Sequence, residues 1–320
     1  MREDGMKEIK LIEVKSELGA GTHGASMGVD AIKIAALDFG SRYFKQYASV
    51  EVETENHLLF ETSGSPYAKR ISGVLTMCER VAEEVHKVID AQQFPLLLAG
   101  DHSTAAGTIA GIRMAYPKKR LGVIWIDAHA DVHSPYTSPS GNMHGMPVAI
   151  SLDEDNLSCK INQPDQETLN YWFQLKNIGN LIPKISHKDI VYVGVRDIEA
   201  PEAHVINKNG IKNISVEKFR ERGAERIIND IIPALEHCDV IYVSFDVDVI
   251  DSRISRGTGT PVSGGFTERE AGNLVTRLCA HPKVCCFEMV EVNPTLDHEN
   301  LMAENAFEIL SRATNALVNG

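Results

Sequence analysis

Six short apolar runs rich in β-branched and aliphatic residues constrain this chain more than any other feature. They span residues 9–14, 94–99, 121–127, 190–195, 240–246 and 284–292, and helical periodicity fills much of the sequence between them. This alternation predicts an α/β fold with a mostly parallel sheet. Strands buried on both faces read as near-continuous apolar runs, and parallel neighbours need a crossover to connect them. Ile71, Val74, Leu75, Cys78, Val85 and Val88 keep the spacing of an amphipathic helix over 71–91. Thr267 and Glu270 make a capping-box pattern that opens another helix, and a last one is expected over 300–317. With 320 residues and 43% hydrophobic composition, one large domain over 1–320 is expected to bury an ample core. Residues 153–183 lack strand character, place Tyr171 beside Trp172, and read as an insertion with one short helix.

The ends of these runs carry the chemistry. Behind LGVIWID comes AHADVHSPYTSPSGNMHG, in which Asp127, His129 and Asp131 alternate and so project to one side of an extended segment. Buried carboxylates are costly without a compensating cation, so the cluster reads as a metal site. FPLLLAG runs into Asp101-His102-Ser103, VIYVSFD ends at Asp246 and Asp248, and CFEMVEV ends around Glu291. Open α/β sheets bind their ligands at such carboxyl ends. His102 alone reads more readily as a structural histidine, and the Asp246-Asp248-Asp251 spacing lacks the glycine and distal glutamate of a calcium loop. Together, His102, Asp127, His129, Asp131, Asp246 and Asp248 match a site for two divalent ions. Mixed imidazole and carboxylate donors suit manganese or a similar ion, with cobalt or nickel as alternatives.

Composition removes several other classes. The net charge of −12 opposes the basic patch that nucleic acid requires. No apolar stretch reaches membrane-spanning length, and the N-terminus lacks a signal-peptide core. Six cysteines without framework spacing read as reduced thiols, so a cytoplasmic protein is expected. The glycine-rich piece ELGAGTHGASMG does not keep the GxGxxG spacing and reads as a loop with unusual backbone angles, with His23 structural.

AGDHS, DAHADVHSPYTSPSGNMHG, SFDVDVID, GTGTPVSGG and EVNP occur in the order and at the strand ends that resemble the ureohydrolase (arginase/agmatinase) family, and within it the arginases. The resemblance implies a three-layer α/β/α fold and hydrolysis of L-arginine to L-ornithine and urea by water activated between two manganese ions. In that reading Asp127 and Asp246 bridge the ions, His102 and Asp131 complete one set of ligands, and His129 and Asp248 the other. Asp131 also takes up the proton of the attacking water, His144 shuttles protons, and Glu291 orients the guanidinium. Ser138, Ser140 and Asn142, with His133, match contacts to the substrate carboxylate. Glu199 and Glu202 match contacts to its amino group, and Thr260 a wall of the pocket. A homo-oligomer, trimeric or hexameric, is implied.

The chain departs from the family pattern at several positions. His133 stands where asparagine is common and Ala99-Gly100 where Gly-Gly is. Glu199 and Glu288 replace aspartates, and Ser252 and Arg256 occupy proline positions. The alternatives are hydrolysis of agmatine or guanidinobutyrate, or an arginine-binding relative without turnover. The SGN pattern favours arginine, because agmatine has no carboxylate for it to hold.

Overall fold

The computed structural model describes residues 8–319. Most of the N-terminal stretch read as lacking a signal-peptide core lies outside them. Eight strands form one sheet: β1 (Ile9–Val14), β2 (Ser49–Glu51), β3 (Phe94–Ala99), β4 (Leu121–Ile126), β5 (Ile190–Val193), β6 (Lys212–Ile214), β7 (Val240–Asp246) and β8 (Val284–Val290). Their order is β2-β1-β3-β8-β7-β4-β5-β6, and every pairing is parallel. The helices are α1 (Gly28–Asp38), α2 (Tyr43–Gln46), α3 (Ile71–Asp90), α4 (Ala105–Ala115), α5 (Pro147–Leu152), α6 (Gln166–Asn177), α7 (Ala200–Asn209), α8 (Val216–Ile231), α9 (Glu268–Cys279) and α10 (Leu301–Asn319).

Two cores flank the sheet, giving the three layers of an arginase-like fold. One gathers residues of α3, α4, α5, α6 and α7, and the other those of α1, α8, α9 and α10. β4 shows why its run is continuously apolar: Val123 and Trp125 enter the first core, Ile124 and Ile126 the second. Each such side chain contributes about 1.5–3 kcal/mol by leaving water. The capping box at Thr267 and Glu270 is formed, and α9 starts there as its sequence predicts.

β2 and β6 were not legible. Both are three-residue edge strands whose side chains, apart from the buried Ile214, are polar or half-exposed, so neither presents an apolar run. Three expected strands also stop early: β4 one residue short, at Ile126, β5 at Gly194, with φ 90°, and β8 at Glu291, with φ 69°. In the glycine-rich loop only Gly24 (φ 112°) needs an unusual backbone angle. Gly19 is required instead by close approach, since a Cβ there would lie 2.5 Å from Asp101 Oδ1.

Residues 153–183 hold α6 and no strand. They brace the loop that follows β4: Asn162 Nδ2 donates to Ser138 O at 2.6 Å, and Ile161 N to Tyr136 O at 2.9 Å. Trp172 anchors the segment, donating from Nε1 to Asp155 Oδ1 at 2.7 Å.

Candidate metal centre and substrate cavity

The passage from β3 to β4 skips two strand positions that β8 and β7 later fill, so β3, β8, β7 and β4 are contiguous at the centre of the sheet. Because all are parallel, their carboxyl ends emerge side by side. His102 follows β3, Glu291 follows β8, Asp246 and Asp248 end β7, and Asp127, His129 and Asp131 follow β4.

His102 Nδ1 lies 3.1 Å from Asp127 Oδ2, 3.1 Å from Asp131 Oδ2 and 3.2 Å from Asp246 Oδ2. His129 Nδ1 lies 2.9 Å from Asp248 Oδ2 and 3.6 Å from Asp127 Oδ1. Two groups with converging ligand atoms result, His102-Asp127-Asp131 and Asp127-His129-Asp248, and Asp127 belongs to both. The frame is rigid. Trp125 stacks on the His102 ring at 4.1 Å and donates to Asp127 Oδ2 at 3.0 Å. Backbone N–H groups of His129, Ala128 and Asp248 donate to Asp127, Asp248 and Asp246 respectively. Asp131 and Glu291 hold left-handed backbone conformations, φ 51° and 69°. For non-glycine residues these cost on the order of 1–3 kcal/mol, and such strain concentrates at functional sites.

The residues fit divalent cations. His102 Nδ1 is buried with no hydrogen-bond partner, though three carboxylates surround it. The four buried aspartates carry the charge that two divalent ions would balance, and no thiol lies among them. Asp251, by contrast, is occupied by Arg253, whose guanidinium holds its carboxyl down at about 2, and it stands outside the cluster.

Without cations the cluster is electrostatically frustrated. Burial and then Asp127 push the Asp131 carboxyl up to about 7, and burial, Asp248 and Asp127 raise Asp246. Burial opposes a charged His102, but the three carboxylates outweigh it and raise its pKa. A carboxyl raised above its unfolded value of about 3.9 makes the folded state bind more protons than the unfolded one. Stability therefore falls as pH rises from about 4 to about 7 through Asp131. The raised histidine acts in the same direction above its unfolded pKa of about 6.5. The melting temperature of metal-free protein should drop between pH 5 and 8, and saturating manganese should raise it most at pH 8. Thermal melts with equal metal-induced shifts at both ends would refute this.

A cavity of about 250 Å³ opens over the cluster. His102, His129, Asp131, Asp246 and Asp248 reach it, whereas Asp127 and Glu291 lie behind its wall, wholly or almost wholly buried. Glu291 Oε1 accepts from the His102 backbone N–H at 2.9 Å and meets His144 Nδ1 at 3.0 Å, while its Oε2 is buried without a partner. Burial opposes charge on both members. Their attraction still raises His144 to about 9 and lowers Glu291.

The outer wall holds His133, Ser138, Ser140, Asn142, Glu199 and Glu202, with Thr260 nearer the metal ligands. Ser138 Oγ and Ser140 Oγ accept from the backbone N–H groups of Gly141 and Asn142, which shapes the loop. Asn142 Oδ1 accepts from Lys69 Nζ at 3.1 Å. Thr260 Oγ1 donates to Asp248 Oδ2 at 3.1 Å. Glu199 caps α7 in a reciprocal capping box with Glu202. Glu202 is buried, and its oxygens accept from the Glu199 and Val132 N–H groups. His133 Nε2 lies 3.3 Å from Glu199 Oε2, and its Nδ1 meets Thr137 Oγ1 at 3.1 Å. His23 is mostly exposed, pairs with Glu17 and does not reach the cavity.

Sequence reasoning missed Asp197 and Trp125. Asp197 lines the cavity 3.6 Å from His129 Nε2. Its signal was its place beside Glu199 in VRDIEAPE. Trp125 reads as core and gives no sign of its contacts with two ligand-type residues.

The sequence profile of the arginase family matches residues 7–315. The chain belongs to the arginase family. It is 34% identical to an arginase of Bacillus subtilis over 309 residues, 95% of this chain and 96% of that one. The arginase structure from Bacillus caldovelox superposes with a TM-score of 0.81 at 34% identity, covering 97% of this chain and 98% of its own. An Entamoeba histolytica arginase, solved in complex with L-ornithine, gives a TM-score of 0.82 at 28% identity over 96% and 99% of the two chains. Family membership implies a binuclear metal centre, which the Asp/His clusters fit. Among the described residues, no helix is long and apolar enough to cross a membrane.

Proposed function

We propose that this protein hydrolyses L-arginine to L-ornithine and urea with two manganese ions. The observation that carries the reading is the pair of buried ligand groups sharing Asp127, in a chain that is 34% identical over almost its whole length to a known arginase. His102 and Asp131 would hold one ion and His129 and Asp248 the other, with Asp127 and Asp246 between them. The oxygen-rich, thiol-free donor set supports manganese. When bound, two such ions supply a lowered pKa for water and polarisation of the reacting centre.

The remaining work falls to side chains. The Asp131 carboxylate would take up the proton of the attacking water. Glu291 Oε2, buried and unpartnered, accepts from the planar guanidinium and fixes its plane. His144, held 3.0 Å from Glu291 Oε1, would deliver a proton toward the leaving amine. The substrate carboxylate is met by the Ser138, Ser140 and Asn142 loop with His133, and Lys69 adds positive charge behind Asn142. Glu199 and Glu202 meet the α-amino group, and Thr260 walls the pocket. Six cysteines without framework spacing support a reducing, cytoplasmic setting, and the family supports a homo-oligomer. The test is urea release by manganese-loaded protein given arginine, agmatine or guanidinobutyrate separately. Arginine is expected to react at least tenfold faster by kcat/KM, and faster release from agmatine would overturn the assignment.

A further inference from the structure

Glu288 is wholly buried on β8, lies outside the cavity, and has no part in the roles above. An ionised carboxyl in such a place is costly unless something exploits it. Its Oε2 accepts from Tyr242 Oη at 2.5 Å. Tyr242 Oη in turn lies close to the hydroxyl of Ser244, two residues along the same face of β7. Ser244 stands in register beside Glu288, and its Oγ lies 2.7 Å from His102 Nε2. A line of buried polar groups thus joins a β8 carboxylate to a histidine of the metal centre.

The donor inventory gives this line a direction. A carboxylate only accepts, so Tyr242 donates to Glu288. Tyr242 Oη is then left to accept from Ser244, and Ser244 Oγ to accept from His102 Nε2–H. An imidazole carrying its proton on Nε2 has a bare Nδ1, the atom that faces three carboxylates without a hydrogen-bond partner.

We propose that Glu288 is a positioning residue: through Tyr242 and Ser244 its carboxylate holds His102 in the Nε2–H tautomer and presents Nδ1 to a divalent ion. The inference rests on the two-ion reading of the site. Outer partners of a metal-bound histidine typically change metal affinity about 10–100-fold when replaced.

Glu288→Gln removes the charge at nearly constant shape, and Tyr242→Phe removes the link. Each variant is titrated with manganese by equilibrium dialysis, with the melting temperature of its metal-free form measured alongside. One of the two equivalents should weaken about tenfold or more in both variants while the other keeps its affinity. The double variant should be no weaker than the worse single one, because both break the same line. Unchanged affinity of both equivalents overturns the proposal, including when the melting temperature falls, since that marks a packing role alone. Equal weakening of both equivalents also overturns it. If one variant fails to fold, the other decides. A wild-type protein that takes up fewer than two equivalents instead defeats the two-ion reading, and this inference with it.

Discussion

Asp127→Asn is expected to remove both metal equivalents and lower kcat for urea release by at least about 10³-fold. Asp127 is the one side chain common to the two ligand groups, so its loss differs in kind from that of His129, which serves only one. An amide keeps the shape, and its single oxygen can still accept from the His129 N–H; the bond from Trp125 Nε1, which is made to the other Asp127 oxygen, is lost, while the surrounding fold should survive. The metal-free variant should melt lower than metal-free wild type, because His102 and His129 outweigh burial and hold the Asp127 carboxyl below its ordinary range, and the amide loses those attractions. Elemental analysis and thermal melts check both halves. Retention of two ions per chain would sink the shared-ligand assignment.

Glu291→Gln should leave metal content intact and reduce kcat/KM for arginine by about 30-fold to several thousand-fold. The range converts the roughly 2–5 kcal/mol lost when one partner of a buried, hydrogen-bonded charge pair is truncated. Glu291 belongs to neither ligand group, and its Oε1 interactions with the His102 N–H and His144 can be kept by an amide oxygen. What disappears is the negative charge that Oε2 offers to a guanidinium. Steady-state kinetics with a parallel metal analysis separate the possibilities. A variant within threefold of wild type would remove Glu291 from substrate recognition, and one that lost metal would place it in the centre instead.

These two residues also mark how far the sequence could be read. Asp127 was legible because it closes an apolar run and alternates with His129 and Asp131, a pattern that short-range geometry alone imposes. Glu291 was legible as a carboxylate after an apolar strand, but its left-handed backbone and its place behind the cavity wall were not. Both arise from packing between β8 and the loops after β3 and β4. The burial of Glu202 was not legible, because its oxygens are taken up by N–H groups of Glu199 and Val132, the latter distant in sequence. β2 and β6 escaped notice for a related reason: at the sheet edges, backbone pairing sustains strands whose side chains carry no apolar signal.

The sequence by itself determined the strand-helix alternation, the central strands, and the identity of the ligand-type residues at their ends. Periodicity and charge placement are local properties, and the cost of burying carboxylates makes them conspicuous. Only the tertiary structure decided that β3, β8, β7 and β4 are neighbours, that Asp127 joins both ligand groups, and that Glu288 reaches His102 through Tyr242 and Ser244. Those facts depend on strand order and register, which follow from side-chain packing across the whole sheet rather than from any stretch of the chain.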